Sequence, residues 1–558
     1  MCFRSKIIIV FVLIAISANA VSNPKHEIRA VWLTTNWGLD WPSKPVSDPL
    51  SREKQKGELC RVLDLVKKLN FNVVFFQTRL RGDVLYPSAY EPWNYILTGQ
   101  PGRNPGYDPL DYAIQACHER GLECHAWIVC IPVGSNRQVK SHRAKSVVYQ
   151  HRDLCKYFNG EWYLDPGNPQ TAFYLASLVK EIVTCYPVDG IHLDYIRYPE
   201  NSHRFPDSDT YRKYAKPNQT LARWRQENIN RIVYTIYDTV RYYSPRIKVS
   251  SSPLGKYNTL PGFSSLGWSC IETVYQDPQK WLKDGKQDFI VPMMYFSEQS
   301  FYPFLINWVQ HKFGRMVVSG LGAYRLYYKE GDWCLSDFMR QIYDGRKYGI
   351  DGQAFYRTGN LIRNDKRLLE ELSSTVYAHP ALMPPMPYLG NKYLSAPKPL
   401  EYVISKDSLY FLWDNVPQAQ GYVLYGSATY PVDINNAGNI IEARISKNFS
   451  AQSRSLLNSF RYFAVTAFDD YYNESPQANF NQPFYNISEK IEYNKFEGKL
   501  YLDIENDIDQ IIIQNILGKE IFKGRYSPKI GLQNIPNGAY RVWLIGKSIR
   551  KEKILLIF

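Results

Sequence analysis

Acid–base chemistry needs carboxyl groups held where a substrate can reach them, and the segment VDGIHLDYIRYP (188–199) offers one in Asp194. An apolar, strand-like run precedes it and a basic, aromatic exit follows. Alternation along a strand sets Gly190, His192 and Asp194 on one face and Ile191 and Leu193 on the other. Asp194 is therefore expected to point into a cleft; the alternative is an ion pair with Arg197 that fixes the next loop. Asp189, one residue before the strand, reads as a turn residue. A catalytic pair needs a second carboxyl, and Asp277 in YQDPQKW is the first choice. Its alternative role is a helix N-cap, because Pro278 follows at a natural first helical position. Glu298 is the next candidate, while Asp40 in LDWP and Glu91 in EPWN sit on loops over the same mouth.

Aromatic and polar residues gather at other predicted strand ends: Trp32, Trp37, Gln77, Arg79, Trp127, Tyr195, Arg197, Tyr295, Tyr324 and Tyr356, with Arg357 next to the last. Aromatic faces stack on the apolar faces of sugar rings, and amide and guanidinium groups bond hydroxyls or carboxylates, so this set suits a carbohydrate cleft. Any single tryptophan in it reads equally well as core.

Positioning these residues requires regular elements. Strand-like runs at 28–35, 72–79, 123–129, 190–196, 248–254, 289–296, 316–323 and 352–358 alternate with helix-length amphipathic segments such as 52–69, 108–120, 169–185, 218–243 and 333–348. Eight strands, each followed by a helix, predict an α/β fold of the (β/α)8 TIM type, whose strands are apolar on both faces and whose active site lies at their carboxyl ends. An open doubly wound sheet fits less well, because no glycine-rich phosphate loop follows the first strand. The barrel is expected over 27–384. After it, short alternating segments predict two small all-β sandwich domains. The one at 395–480 resembles a fibronectin type III module; the one at 485–558 resembles the C-terminal β-sandwiches that act as sorting signals. A chain ending near Pro384 is expected to stay folded.

The chain has 558 residues, 45% hydrophobic and 15% aromatic, enough for a large core and several domains. Residues 1–20 show Arg4 and Lys6, an apolar run from Ile7 to Ile16 and then Ala18-Asn19-Ala20, the order of a secretory signal peptide. Export is expected, to the periplasm or cell envelope or the outer surface, with no transmembrane segment. Cysteines are too sparse for a disulfide scaffold. Cys117, His118, Cys124 and His125 lack a second ligand pair at zinc spacing, so neither a metal nor any other cofactor is expected. The formal charge of +14, less two after leader removal, leans toward anionic envelope polymers. Nucleic acid is not expected as a partner, since no basic cluster is present.

The segments EIRAVWLTTNWGLDWP (27–42), FNVVFFQTRLRGDVLYPSAYEPWNYILTGQPGRNPGYDPLDYAI (71–114), RGLECHAWIV (120–129), YLDPGNP (163–169), YPVDGIHLDYIRYP (186–199), SSPLG (251–255), YQDPQKWLKDGKQDFIVPMMYF (275–296) and GIDGQAFYR (349–357) together resemble the glycosyl-hydrolase-like family 10. The resemblance implies an envelope glycosidase barrel; the alternatives are a non-catalytic carbohydrate-binding envelope protein and a glycosidase acting on a host or dietary glycan. It also implies a polysaccharide substrate similar to the peptide-free peptidoglycan glycan strands cut by the divisome-localised member. Glycoside hydrolysis ordinarily uses two carboxyl groups, for which the sequence offers Asp194 and Asp277. DGIHLDY is also similar to chitinase-type barrels, but Ile196 stands where those carry a glutamate acid. Contact with the secretion machinery through the C-terminal domain is a further expectation.

Overall fold

The computed structural model of the chain describes residues 23–263, 267–297, 300–404 and 407–480. Toward the C-terminus it describes 491–495, 497–502, 508–515, 518–533, 535–536, 538–546 and 550–557. The leader-like residues 1–20 and Glu298 lie outside the described residues.

The barrel strands are β1 (Ile28–Leu33), β2 (Val73–Arg79), β3 (Glu123–Val129), β4 (Gly190–Asp194), β5 (Lys248–Ser251), β6 (Phe289–Ile290), β7 (Met316–Val317, resuming at Ser319–Leu321) and β8 (Gly352–Phe355). All pair in parallel. β1 meets β2 at Ala30↔Val73 and β8 at Ile28↔Gly352. β7 joins β6 through Met316↔Phe289 and β8 through Ser319↔Gln353, which closes the ring. The last four strands are shorter than the predicted runs because their carboxyl ends leave the ladder to form the mouth.

The period-2 alternation sorts the strand side chains into two layers. Val31, Leu33, Val74, Phe76, Ile191 and Leu193 face the helices, while Ile28, Ala30, Trp32, Phe75, Trp127 and Phe289 fill the interior. His192 stacks inside on Phe75, ring centroids 3.9 Å apart. Gly190 has to be glycine, because a Cβ there would come within 2.3 Å of the His125 ring.

The principal helices are α1 (Pro49–Lys68), α2 (Pro109–Glu119), α3 (Pro169–Cys185), α4 (Leu221–Tyr243), α5 (Pro278–Lys283), α6 (Tyr302–Gln310) and α7 (Leu335–Tyr348). Four of them start with the same device. Asp48, Asp108, Asn168 and Asp277 each cap a helix whose first residue is proline, which satisfies orphan amides and presets φ. No helix among the described residues is long and apolar enough to cross a membrane.

Two antiparallel β-sandwiches follow. Strands Pro399–Ile404, Ser408–Trp413 and Phe449–Ser453 form one sheet of the first; Ile440–Ile445, Gly421–Ser427, Tyr462–Phe468 and Ala478–Asn479 form the other. Trp413 and Tyr422 meet in its core at 5.3 Å. The second sandwich has its own core around Ile511, Ile513 and Val542.

The first sandwich is docked on the amino-terminal end of the barrel. Met383 and Met386 enter the barrel's interior cluster, with Tyr471 and Tyr472 packed against it. Tyr472 Oη donates to Glu123, which also holds Lys248 at 2.8 Å. Arg444 pairs with Asp189, and Lys25 with Glu474 at 2.5 Å. Asp189 is thus a docking residue more than a turn residue.

Candidate active site

At the opposite, carboxyl-terminal end of the barrel lies a cleft of about 220 Å³ with Asp194 on its floor. Among the described residues Asp194 is the only carboxylate that lines it. Every neighbour bonded to Asp194 is a donor. Oδ1 accepts from Tyr195 N at 2.7 Å and Ser252 Oγ at 3.0 Å, and Oδ2 accepts from Trp127 Nε1 at 3.1 Å. Burial pushes its pKa above the ordinary carboxylate value, partly offset by these donors and by the Arg197 charge. A setting made only of donors fixes the orientation of a carboxylate anion.

Tyr195 is the local cost of that arrangement. Its φ of 48° is left-handed, which a bulky side chain rarely adopts. The bend turns its N–H back onto Asp194 while its ring joins the cleft lining. Arg197 lies against that ring at 4.5 Å and holds Glu200 at 3.1 Å.

Beneath Asp194, His192 Nε2 accepts from Trp32 Nε1 at 3.0 Å, which leaves Nδ1 to donate to Ser250 Oγ at 2.9 Å. Burial, reinforced by His125, drives the His192 pKa well below its usual value. The ring is therefore neutral and fixed in one tautomer, a support and not an acid.

One wall is aromatic. Tyr295 and Tyr356 line the cleft and stack at 5.8 Å, with Tyr324 edge-on to both at 5.6 and 5.9 Å. Burial pushes the phenols of Tyr295 and Tyr356 up, so both stay protonated and able to donate. The facing wall is polar. Gln77 Oε1 accepts from Thr34 Oγ1 (2.8 Å), Thr35 N (2.9 Å) and Asn36 N (3.1 Å), which orders the loop after β1. Arg81 continues this wall and pairs at 2.5 Å with Glu161, on a small sheet inserted after β3.

Several residues expected in the cleft have other work. Asp277 caps α5, its Oδ1 accepting from Lys280 N at 3.3 Å and Tyr257 Oη at 2.8 Å, and it is not part of the lining. The structure does not bring it to Asp194. Arg79 and Glu91 form a buried bidentate pair, 2.7 Å on each arm, and Arg79 also bonds the Val129 and Cys130 carbonyls. They brace the ends of β2 and β3. Asp40 accepts from Thr34 N (3.0 Å) and Gly359 N (2.8 Å), tying the β1 and β8 loops together, and burial pushes its pKa up to about 6. Trp37 stands 73% exposed outside the lining, in left-handed backbone at φ 54°. Ser252, Asn36 and Arg81 line the cleft although the sequence reading did not include them; the strand-end rule reaches Ser252, which lies in the carboxyl-terminal half of the predicted run 248–254.

His118 and His125 bond Asp189 and Glu123, at 2.8 Å each. Among the described residues no group of three or more His, Cys, Asp or Glu is placed to hold a metal ion.

The sequence profile of the family described as Glycosyl hydrolase-like 10 matches residues 27–318. Glycosyl hydrolase YngK of Bacillus subtilis (strain 168) is 31% identical over 403 residues, spanning 68% of this chain and 77% of its own length. Glycosyl hydrolase DigH of Escherichia coli (strain K12) is 34% identical over 289 residues, 49% of this chain and 66% of its own. Among solved structures, the PgaB (BpsB) glycoside hydrolase domain from Bordetella bronchiseptica superposes with a TM-score of 0.45 at 14% identity, over 63% of this chain and 99% of that one. The match covers β1 to β6 and the start of β7, with Asp194 among its residues, and the chain belongs to glycosyl hydrolase-like family 10 and is a glycoside hydrolase.

Proposed function

We propose that the protein hydrolyses glycosidic bonds in an envelope polysaccharide, the glycan strands of peptidoglycan foremost, with Asp194 as its catalytic anion. The observation that carries this reading is a carboxylate held by three donors on the floor of an aromatic-walled cleft. A sugar ring laid on Tyr356 and Tyr295 would present its anomeric carbon toward Asp194, with hydroxyls toward Gln77, Asn36 and Arg81. As an anion, Asp194 acts as nucleophile or as base for water, and a second carboxyl group protonates the leaving oxygen. Tyr195, Arg197 and Tyr324 position or extend this site, and Trp37 offers an exposed stacking face at the rim.

The leader at 1–20 exports the chain to the envelope, and the two β-sandwiches, the first of fibronectin type III kind, hold or present the barrel there. The last is the part that would meet secretion machinery. The test is incubation of the protein with intact and peptide-free peptidoglycan, followed by mass spectrometry. New reducing ends in the peptide-free sample support the reading; unchanged strands in both samples sink it.

A further inference from the structure

The charges around the cleft bear on which sugar it accepts. Among the described residues only one guanidinium, Arg81, lines it, with Arg197 and Arg357 behind the lining, and each of the three already has a carboxylate: Arg81 with Glu161 at 2.5 Å, Arg197 with Glu200 at 3.1 Å, Arg357 with Asp40 at 3.3 Å and Glu330 at 3.5 Å. Among the described residues the one charge on the lining that no ion pair neutralises is therefore the Asp194 anion, although the chain as a whole carries a formal +14. Arg197 keeps Nε and Nη1 without a hydrogen-bond partner, but its side chain is only 4% accessible and lies against the Tyr195 ring, outside the lining. The cavity is also small. At about 220 Å³ it falls below the roughly 300–1,000 Å³ of pockets that enclose a whole drug-sized ligand.

From this charge balance and this size we infer that the sugar seated over Asp194 is an uncharged one, and that carboxylate-bearing sugars are excluded from that position. This inference rests on the proposed envelope-glycan substrate and names which of its bonds is cut. A basic surface draws in an anionic polymer, while the acidic cleft selects the neutral ring within it, a repulsive element that sets register. In a strand alternating N-acetylglucosamine with muramic acid, whose lactyl group carries a carboxylate, the bond broken is the C1–O bond of N-acetylglucosamine. Water supplies the hydroxyl to that C1 and the proton to the departing oxygen. Each new reducing end is then the neutral sugar.

The test reduces the products of peptide-free strands with borohydride and identifies the terminal alditol by mass spectrometry. N-acetylglucosaminitol should exceed the muramic alditol by about tenfold or more, and Glu161→Gln, which frees Arg81 to meet a carboxylate, should narrow that ratio by about tenfold. Muramic alditol as the main new end, or a ratio unmoved in a Glu161→Gln protein that melts like the parent, overturns the inference. If the strands resist but neutral N-acetylglucosamine oligosaccharides are cut, the peptidoglycan reading falls and the neutral-sugar inference stands. If nothing is cut, calorimetry of the whole protein with neutral and carboxylated disaccharides decides, and equal or tighter binding of the carboxylated one overturns the inference.

Discussion

Arg444→Ala should loosen the first β-sandwich from the barrel. In the native chain the Arg444 guanidinium bonds Asp189 Oδ1, while Asp189 Oδ2 takes Cys124 N and His118 Nε2, each at 2.8 Å. Burial opposes ionisation of Asp189, but Arg444 and His118 hold its pKa below the ordinary carboxylate range. Removing one partner of a buried ion pair costs about 3–5 kcal/mol. The two bonds that remain on Asp189, and the 23% exposure of the Arg444 side chain, set the expected loss at the lower end, about 3 kcal/mol. At roughly 2–4 °C per kcal/mol, Tm should fall by about 6–12 °C. The pH dependence has a definite sign. Asp189 is depressed, and Glu123, buried but facing Lys248 and His125, is lowered to about 2. Their contribution is full above the unfolded carboxylate pKa of about 4 and is lost as pH falls toward 2, so parent and variant should converge there. Differential scanning fluorimetry, with limited proteolysis of residues 385–398, reads both effects. A variant melting within about 1 °C of the parent at pH 7 would refute the docking argument. The same packing predicts, against the expectation from composition, that a chain ending at Pro384 exposes the barrel floor and aggregates; a soluble, active barrel of that length would show the sandwich to be dispensable.

Trp127→Phe keeps an aromatic ring but removes one donor to Asp194; kcat should fall about 10–100-fold, and the acid limb of the pH–rate profile should move up, since the lost bond favoured the anion. Asp40→Asn should destabilise, and because burial raises the Asp40 pKa to about 6, the parent's contribution from this group declines as pH rises through that value. The variant's disadvantage in denaturant titrations should accordingly shrink by about 2–3 kcal/mol between pH 4 and pH 7. Tyr356→Ala opens the aromatic wall and should raise KM about tenfold with a smaller change in kcat, readable from initial rates on soluble oligosaccharides.

The barrel was legible because its signals are local: eight apolar runs, amphipathic helices between them, and an alternation that sets His192 and Asp194 inward. Asp194 could be found the same way, since a strand's carboxyl end and a side chain's parity are both properties of a few neighbouring residues. Asp277 shows where locality misleads. Its Asx-Pro context is the one that also starts α1, α2 and α3, so the capping alternative had a sequence signature repeated elsewhere in the chain. Arg79 and Glu91 were read as cleft residues because each lies at a strand end or rim loop. Their partnership spans twelve residues and depends on how the loop folds back, which periodicity does not encode. The docking of Tyr472 and Arg444 on Glu123, Lys248 and Asp189 joins segments hundreds of residues apart, and composition alone reads such a boundary as a free linker.

The role of Asp194 is tested most directly by Asp194→Asn, measured for melting and for glycan cleavage on the same preparation. Asparagine preserves the size of the side chain. Burial raises the Asp194 pKa, so the anion is a destabilising group at neutral pH, and the variant should melt at or above the parent temperature while losing nearly all turnover. A folded variant that still cuts glycan at more than about a tenth of the parent rate, a loss below ~1.4 kcal/mol of transition-state stabilisation, would contradict the assignment of Asp194 as the catalytic carboxylate.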